Sequence, residues 1–135
     1  MHWAIWSAML ALVAHEHSFV HVRAEGVLTG NDYRSFEPGF ANEVAHRGKP
    51  LPLLLDLLGF RGWTPGGLLR DIFFDLRHRA TFSRIAVIGE KRWHKWITYA
   101  ASPVFRGTLG FFRPAAERVA VEWLQQASQA VEGAS

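Results

Sequence analysis

The sequence predicts an α/β domain whose mostly parallel sheet has about five strands, an edge hairpin at its N-terminal side and four helices. Two apolar runs, at residues 51–58 and 84–89, carry this prediction. Such runs are typical of strands that are buried on both faces, as in the middle of a parallel sheet. Helical patterns follow each run, and alternating strands and helices favour a βα order. With 135 residues, 49% of them hydrophobic, the chain should form one domain, residues 1–135, with a real core.

The N-terminal hairpin is predicted from strands at residues 9–14 and 19–25, since side chains of the second strand alternate between two faces. We expect residues 1–8 to be an extra segment, with translation starting at Met1 or Met9, and residues 129–135 to be a frayed tail. The first residues lack the positive n-region of a secretory signal and are too short to span a bilayer. Together with the absence of cysteine, this favours a cytoplasmic location.

The first helix should begin after Thr29, whose hydroxyl can accept a hydrogen bond from the Asp32 amide. Pro38 should divide this helix into residues 30–37 and 39–46, which meet at a kink.

The central strand is followed by a predicted loop at residues 60–65, and Thr64 with Pro65 should start a second helix that covers residues 68–80. The third helix should begin near Glu90. Its predicted apolar stripe, at 100° per residue, consists of Trp93, Trp96, Ile97 and Ala100.

Catalytic and metal-binding patterns have little support in this sequence. No phosphate-binding loop follows a strand, and no serine lies in a nucleophile elbow. His15, His17 and His21 are close in sequence but have no carboxylate or cysteine at ligand spacing. Asp71 and His78 are about two helical turns apart, too far for a direct acid/base pair. We therefore expect no enzyme activity, no metal and no cofactor.

The charge of the chain is concentrated in its middle. Between Arg61 and Lys95 there are eight basic residues against three acidic ones, although the whole chain has a formal charge of only +3. Such a segment can face phosphates, an anionic membrane or an acidic partner, or it can simply be solvated. Nucleic acid is not expected, because no nucleic-acid-binding motif accompanies the charge.

Aromatic residues are concentrated where two central strands end and the following helices begin. Aromatic side chains at helical spacing are usually core residues; the alternative is an apolar pocket between the second and third helices, with Trp63 or Tyr33 at its rim. Phe74 falls on a basic helical face. Either a loop or helix of the protein covers it, or it contacts a membrane or a partner protein. The residues concerned are Phe60, Trp63, Phe73, Phe74, Phe82, Trp93 and Trp96.

An ordered set of motifs resembles the SpoIIAA-like family of small bacterial STAS-like domains. The set comprises Thr29-x-x-Asp32-Tyr33, Phe36-x-Pro38, Gly62-Trp63, Asp71 and His78, Phe82-x-Arg84-Ile-Ala-Val-Ile-Gly89-x-Lys91-x-Trp93 and Ala120-x-x-Trp123-Leu124. The resemblance implies a right-handed βα superhelix without enzymatic activity that binds apolar ligands or sits on membranes. Anti-anti-sigma factors of this fold carry a phosphorylatable serine at the start of the second helix, where this sequence has Thr64.

We therefore predict a non-catalytic binding module that takes a lipid-like or other apolar small molecule and associates peripherally with membranes. Tyr33, Phe60, Trp63, Phe74 and Trp93 would contact the ligand, while Lys91, Arg92 and Lys95 would attract anionic head groups. The alternative is a regulatory module that binds a protein partner through Thr64, and a homodimer is also open.

Overall fold

A computed structural model describes residues 9–15, 19–47, 51–64, 82–101 and 108–134. Its five strands form one sheet in the order β1-β2-β3-β4-β5. The pair β1/β2 is antiparallel and the other three pairs are parallel. In chain order the elements are β1 (Met9–His15), β2 (Val20–Leu28), α1 (Gly30–Arg47), β3 (Leu51–Trp63), β4 (Phe82–Ile88), α2 (Arg92–Ala101), β5 (Thr108–Phe112), a 3-10 turn (Pro114–Ala116) and α3 (Glu117–Ala134).

This architecture confirms the predicted α/β class with a parallel sheet and an edge hairpin. Three of the four predicted helices lie within the described residues. The remaining one, at residues 68–80, lies outside them, and so do Phe74, Asp71 and His78.

Helices pack on both faces of the sheet because the central strands are apolar on both faces. On one face, α1 and α2 cover a core to which β2, β3 and β4 all contribute. On the other face, α3 buries Ala120 and Leu124 against Leu54, Ala86 and Ile88. Leu54, Ile88 and Leu124 are among the largest fully buried side chains, and each contributes about 1.5–3 kcal/mol of burial free energy.

Helix α1 runs unbroken from Gly30 to Arg47 with Pro38 inside it, so the prediction that Pro38 interrupts the helix is wrong. Proline removes one hydrogen bond of the helix, but packing can outweigh that cost. Phe36 and Phe40 lie on either side of Pro38, stack with ring centroids 5.2 Å apart and pack on the sheet.

The predicted cap at Thr29 is confirmed. The Asp32 amide donates to the Thr29 hydroxyl oxygen over 3.2 Å, and the Asp32 carboxylate accepts from the Thr29 amide over 2.7 Å. These reciprocal bonds satisfy two amides at the start of α1.

Strand β3 continues to Trp63, so the prediction that Phe60 and Trp63 lie in a loop is wrong. The strand continues because β2 extends to Leu28 and offers it a partner, with Gly26 opposite Phe60 and Leu28 opposite Trp63. The register shifts twice along this pair, and Gly62 has a φ of 136°, which favours glycine.

The first register shift of the β2/β3 pair follows Asp56, a carboxylate that is only 6% exposed. Asp56 accepts a 2.9 Å hydrogen bond from the Leu58 amide and a 3.4 Å hydrogen bond from Arg23 Nε. The carboxylate therefore stabilises the bulged backbone of β3 from within the strand.

Candidate functional site

A cleft of about 810 Å³ lies beside α2, at the carboxyl ends of β4 and β5. Open α/β sheets usually bind ligands at this edge. The lining residues are Glu90, Lys91, Arg92, Lys95, Trp96, Tyr99, Ala100, Phe111 and Arg113.

The charge of this cleft is strongly positive, because four of its lining residues are cationic and only Glu90 is acidic. All five charged side chains are exposed. The first turn of α2 contains no acidic residue, so Lys91 and Arg92 lie at the positive end of the helix dipole without an offsetting charge inside the helix. This placement destabilises the helix by a few tenths of a kcal/mol or more per cation. A bound anion would make the local electrostatic free energy favourable instead.

Two large aromatic side chains of α2 are exposed next to these cations. Trp96 is 75% exposed and Tyr99 is 58% exposed. The Lys95 ammonium lies 5.9 Å from the centroid of the Tyr99 ring, within cation–π distance. The cleft therefore combines cations with apolar surface that the fold leaves in contact with water.

The predicted apolar stripe of α2 is wrong for Trp96 and Ala100, which are both exposed. The buried face is instead rotated by about 80° at 100° per residue. It consists of half-buried Trp93 and Ile97 and fully buried His94 and Thr98.

His94 fixes the start of α2 to the sheet. Its Nε2 lies 3.0 Å from the Phe60 carbonyl oxygen, and the Lys91 amide donates to its Nδ1 over 3.4 Å. A carbonyl can only accept and an amide can only donate, so these partners assign the neutral tautomer with hydrogen on Nε2. The Thr98 hydroxyl donates to the His94 carbonyl over 2.7 Å, which completes this buried polar set. The sequence analysis did not identify His94 or Thr98 as buried. Their only signal in the sequence is that two polar residues lie four positions apart.

Gly89 lets α2 approach β5 closely. A Cβ at this position would lie 2.8 Å from His94 Cβ and 2.9 Å from Phe111 Cε1, which real side chains do not tolerate. The Gly89 amide also donates to the Phe112 carbonyl over 3.1 Å. This glycine therefore sets the distance between the two walls of the cleft.

The predicted apolar ligand residues lie on the core side of α2, separate from the lining of the cleft. The ring centroid of Phe60 lies 6.1 Å from that of Trp63 and 5.3 Å from that of Trp93. Phe60 is only 7% exposed, whereas Trp63, Trp93 and Tyr33 are half-buried against the same core. The cleft itself brings the predicted Lys91, Arg92 and Lys95 together, and adds Arg113, Trp96 and Tyr99, which the predicted site did not include.

Thr64, the predicted regulatory residue, directly follows β3 and is half-buried, and its amide donates to the Leu28 carbonyl over 2.9 Å. The helix that it was predicted to cap lies outside the described residues. Its regulatory role stays a prediction.

Within the described ranges, no group of three or more histidine, aspartate or glutamate side chains is arranged to hold a metal ion. In the same part of the chain, no helix has the length and apolar content needed to cross a membrane.

Comparison with known proteins gives a family match over most of the chain. The family model described as SpoIIAA-like matches residues 19–125. A solved structure from Shewanella loihica PV-4, an uncharacterised protein from the DUF3478 family with a SpoIIAA-like fold, superposes with a TM-score of 0.73 at 25% sequence identity. The match covers 87% of this chain and 95% of that chain. No curated protein matches the chain.

Proposed function

Because the chain belongs to the SpoIIAA-like family, we propose that it is a non-catalytic STAS-type module that associates peripherally with anionic membranes through the cleft beside α2. One observation carries this proposal: Trp96 and Tyr99 are exposed directly among Lys91, Arg92 and Lys95. Side chains with an apolar body and a polar tip favour membrane interfaces, and flanking cations favour anionic lipids.

The expected affinity follows from the same residues. Burying most of the exposed Trp96 surface in the interfacial layer would contribute about 3 kcal/mol. Each cation near an anionic leaflet contributes about 1 kcal/mol, and the cleft has a surplus of three. The total of about 6 kcal/mol corresponds to half-maximal binding at tens of micromolar accessible lipid, which is reversible peripheral association.

A lipid-like ligand would extend from this surface toward the core side of α2. Half-buried Trp63 and Trp93 would contact an acyl chain there, with Phe60 behind them. Tyr33 and Phe74 remain part of the proposed contact set, Tyr33 because it is half-buried against the same core.

Vesicle co-sedimentation tests the proposal. Binding should be strong to phosphatidylcholine vesicles that contain phosphatidylglycerol, weak to phosphatidylcholine alone, and reduced by salt. Trp96→Ala and Lys95→Gln should each weaken binding about fivefold or more. The matched controls are Val119→Ala and Arg118→Gln, because both positions are exposed on α3 and lie outside the cleft lining.

Binding that is equal for both lipid mixtures, or that Trp96→Ala leaves unchanged, would contradict the proposal. If the protein is instead a regulatory module that binds a protein partner through Thr64, Trp96→Ala should leave binding unchanged. It would also require a copurified partner that Thr64→Ala releases.

A further inference from the structure

We propose that the cleft beside α2 selects a phosphate monoester head group of a membrane lipid, and that Arg113 is the residue that determines this selectivity. The inference rests on the proposed function, since it concerns the same cleft, and it adds the chemical class of the ligand and a residue from a second element of the fold.

The four cations of the cleft are not neutralised by acidic side chains of the described residues. Among the described residues, none of Lys91, Arg92, Lys95 and Arg113 forms an ion pair with a carboxylate. Four described arginines elsewhere do have partners: Arg23 pairs with Asp56, Arg34 donates to the Asn31 side-chain oxygen, Arg84 donates to the Trp123 carbonyl, and Arg118 pairs with Glu122. Within the described ranges, this cleft therefore holds a cluster of four cations without an acidic partner.

The magnitude of that charge favours a dianion. Four cations and Glu90 give the cleft a surplus of three positive charges. A phosphodiester head group such as phosphatidylglycerol carries one negative charge, whereas a phosphate monoester carries about −1.5 to −2 at pH 7. The monoester also offers an additional charged oxygen for hydrogen bonds.

Arg113 lies on a different element from the other cations. Lys91, Arg92 and Lys95 belong to the first two turns of α2 and the residue before it, whereas Arg113 directly follows β5. The Arg113 carbonyl accepts a 2.8 Å hydrogen bond from the Ala116 amide, so the 3-10 turn holds the backbone of Arg113. A planar guanidinium on a fixed backbone can donate two parallel hydrogen bonds to two phosphate oxygens, and an ammonium lacks this planar fork of donors.

The apolar part of the lining specifies a lipid as the source of the monoester. A volume of about 810 Å³ is larger than a phosphate group requires. Trp96, Tyr99 and Phe111 supply the walls that would contact a glycerol backbone and the first acyl carbons.

The test compares phosphatidic acid with phosphatidylglycerol in phosphatidylcholine vesicles of matched surface charge. The wild-type protein should bind phosphatidic acid vesicles about five- to tenfold more tightly. Arg113→Lys, which keeps the charge, should bind phosphatidic acid and phosphatidylglycerol vesicles with equal affinity, so the preference for phosphatidic acid should be lost. Arg118→Lys, on the exposed surface of α3, should keep both vesicle binding and the preference for phosphatidic acid.

Equal affinity for the two lipids at matched charge, or a preference that survives in Arg113→Lys, would overturn the inference and leave the proposed function intact. Absence of binding to either lipid would remove the proposed function. Glycerol 3-phosphate, a soluble phosphate monoester, serves as a competitor. It should displace the protein from phosphatidic acid vesicles. If it binds the protein while no vesicle does, the membrane source is wrong and a free monoester is the ligand.

Discussion

Replacing Gly89 by alanine should lower the free energy of unfolding by about 1–2 kcal/mol. At an unhindered position the same substitution usually raises it slightly, because alanine lowers the conformational entropy of the unfolded chain. The new Cβ would lie 2.8 Å from His94 Cβ, so a normal contact needs a displacement of about 0.6 Å. The Gly89 amide is bonded to the Phe112 carbonyl, and the His94 ring is bonded to Phe60. Overpacking a fixed site of this kind costs about 1–3 kcal/mol, whereas the lost entropy of the unfolded chain returns about 0.4–1 kcal/mol.

Gly39 provides the matched control, because no atom lies within 4 Å of a Cβ at that position inside α1. Gly39→Ala should stabilise the protein by about 0.5–1 kcal/mol. The two variants should therefore differ by about 2 kcal/mol, which separates their urea midpoints by about 1 M. Equilibrium unfolding followed by far-UV circular dichroism measures both midpoints. A Gly89→Ala midpoint at or above that of the wild type would refute the described packing of α2 against β5.

Two further substitutions test the buried polar groups. His94→Leu should cost about 2 kcal/mol in urea unfolding, since the Phe60 carbonyl and the Lys91 amide both lose their bonds to the imidazole; an unchanged midpoint would contradict those bonds. Asp56→Ala should cost about 1–3 kcal/mol, mainly through the lost hydrogen bond from the Leu58 amide, because Arg23 is partly exposed and water can solvate it. A loss below about 0.5 kcal/mol in the same assay would show that Asp56 does not stabilise the bulge.

The succession of strands and helices along the chain was predictable because it depends on local patterns. Apolar runs separated by helical segments allow few topologies. The predicted elements from β1 to α3 match the structure, apart from the helix at residues 68–80, which lies outside the described residues. The end of β3 was not predictable in the same way, because Gly59 and Gly62 are typical of turns. The strand continues past both because β2 remains hydrogen-bonded beside it as far as Leu28 and Trp63, a contact over 35 residues of sequence.

The candidate site was predicted in part for a related reason. Lys91, Arg92 and Lys95 were found from local charge, whereas Arg113 enters the cleft only because β5 pairs with β4. The exposed position of Trp96 was missed because hydropathy places tryptophan on the buried side of a helix. In the structure, the buried side of α2 contains His94 instead of Trp96, because the His94 ring can form a hydrogen bond with the Phe60 carbonyl there.

The sequential order of the strands has a consequence for assembly of the chain. Each described strand after β1 pairs with the described strand that precedes it in the chain, so none of these five has to be inserted between two that are already paired. The sheet can therefore grow from its N-terminal hairpin as the polypeptide leaves the ribosome, with β5 and α3 added last. This route keeps loop-closure costs small at each step. It also places the completion of the basic cleft, which needs Arg113, near the end of folding.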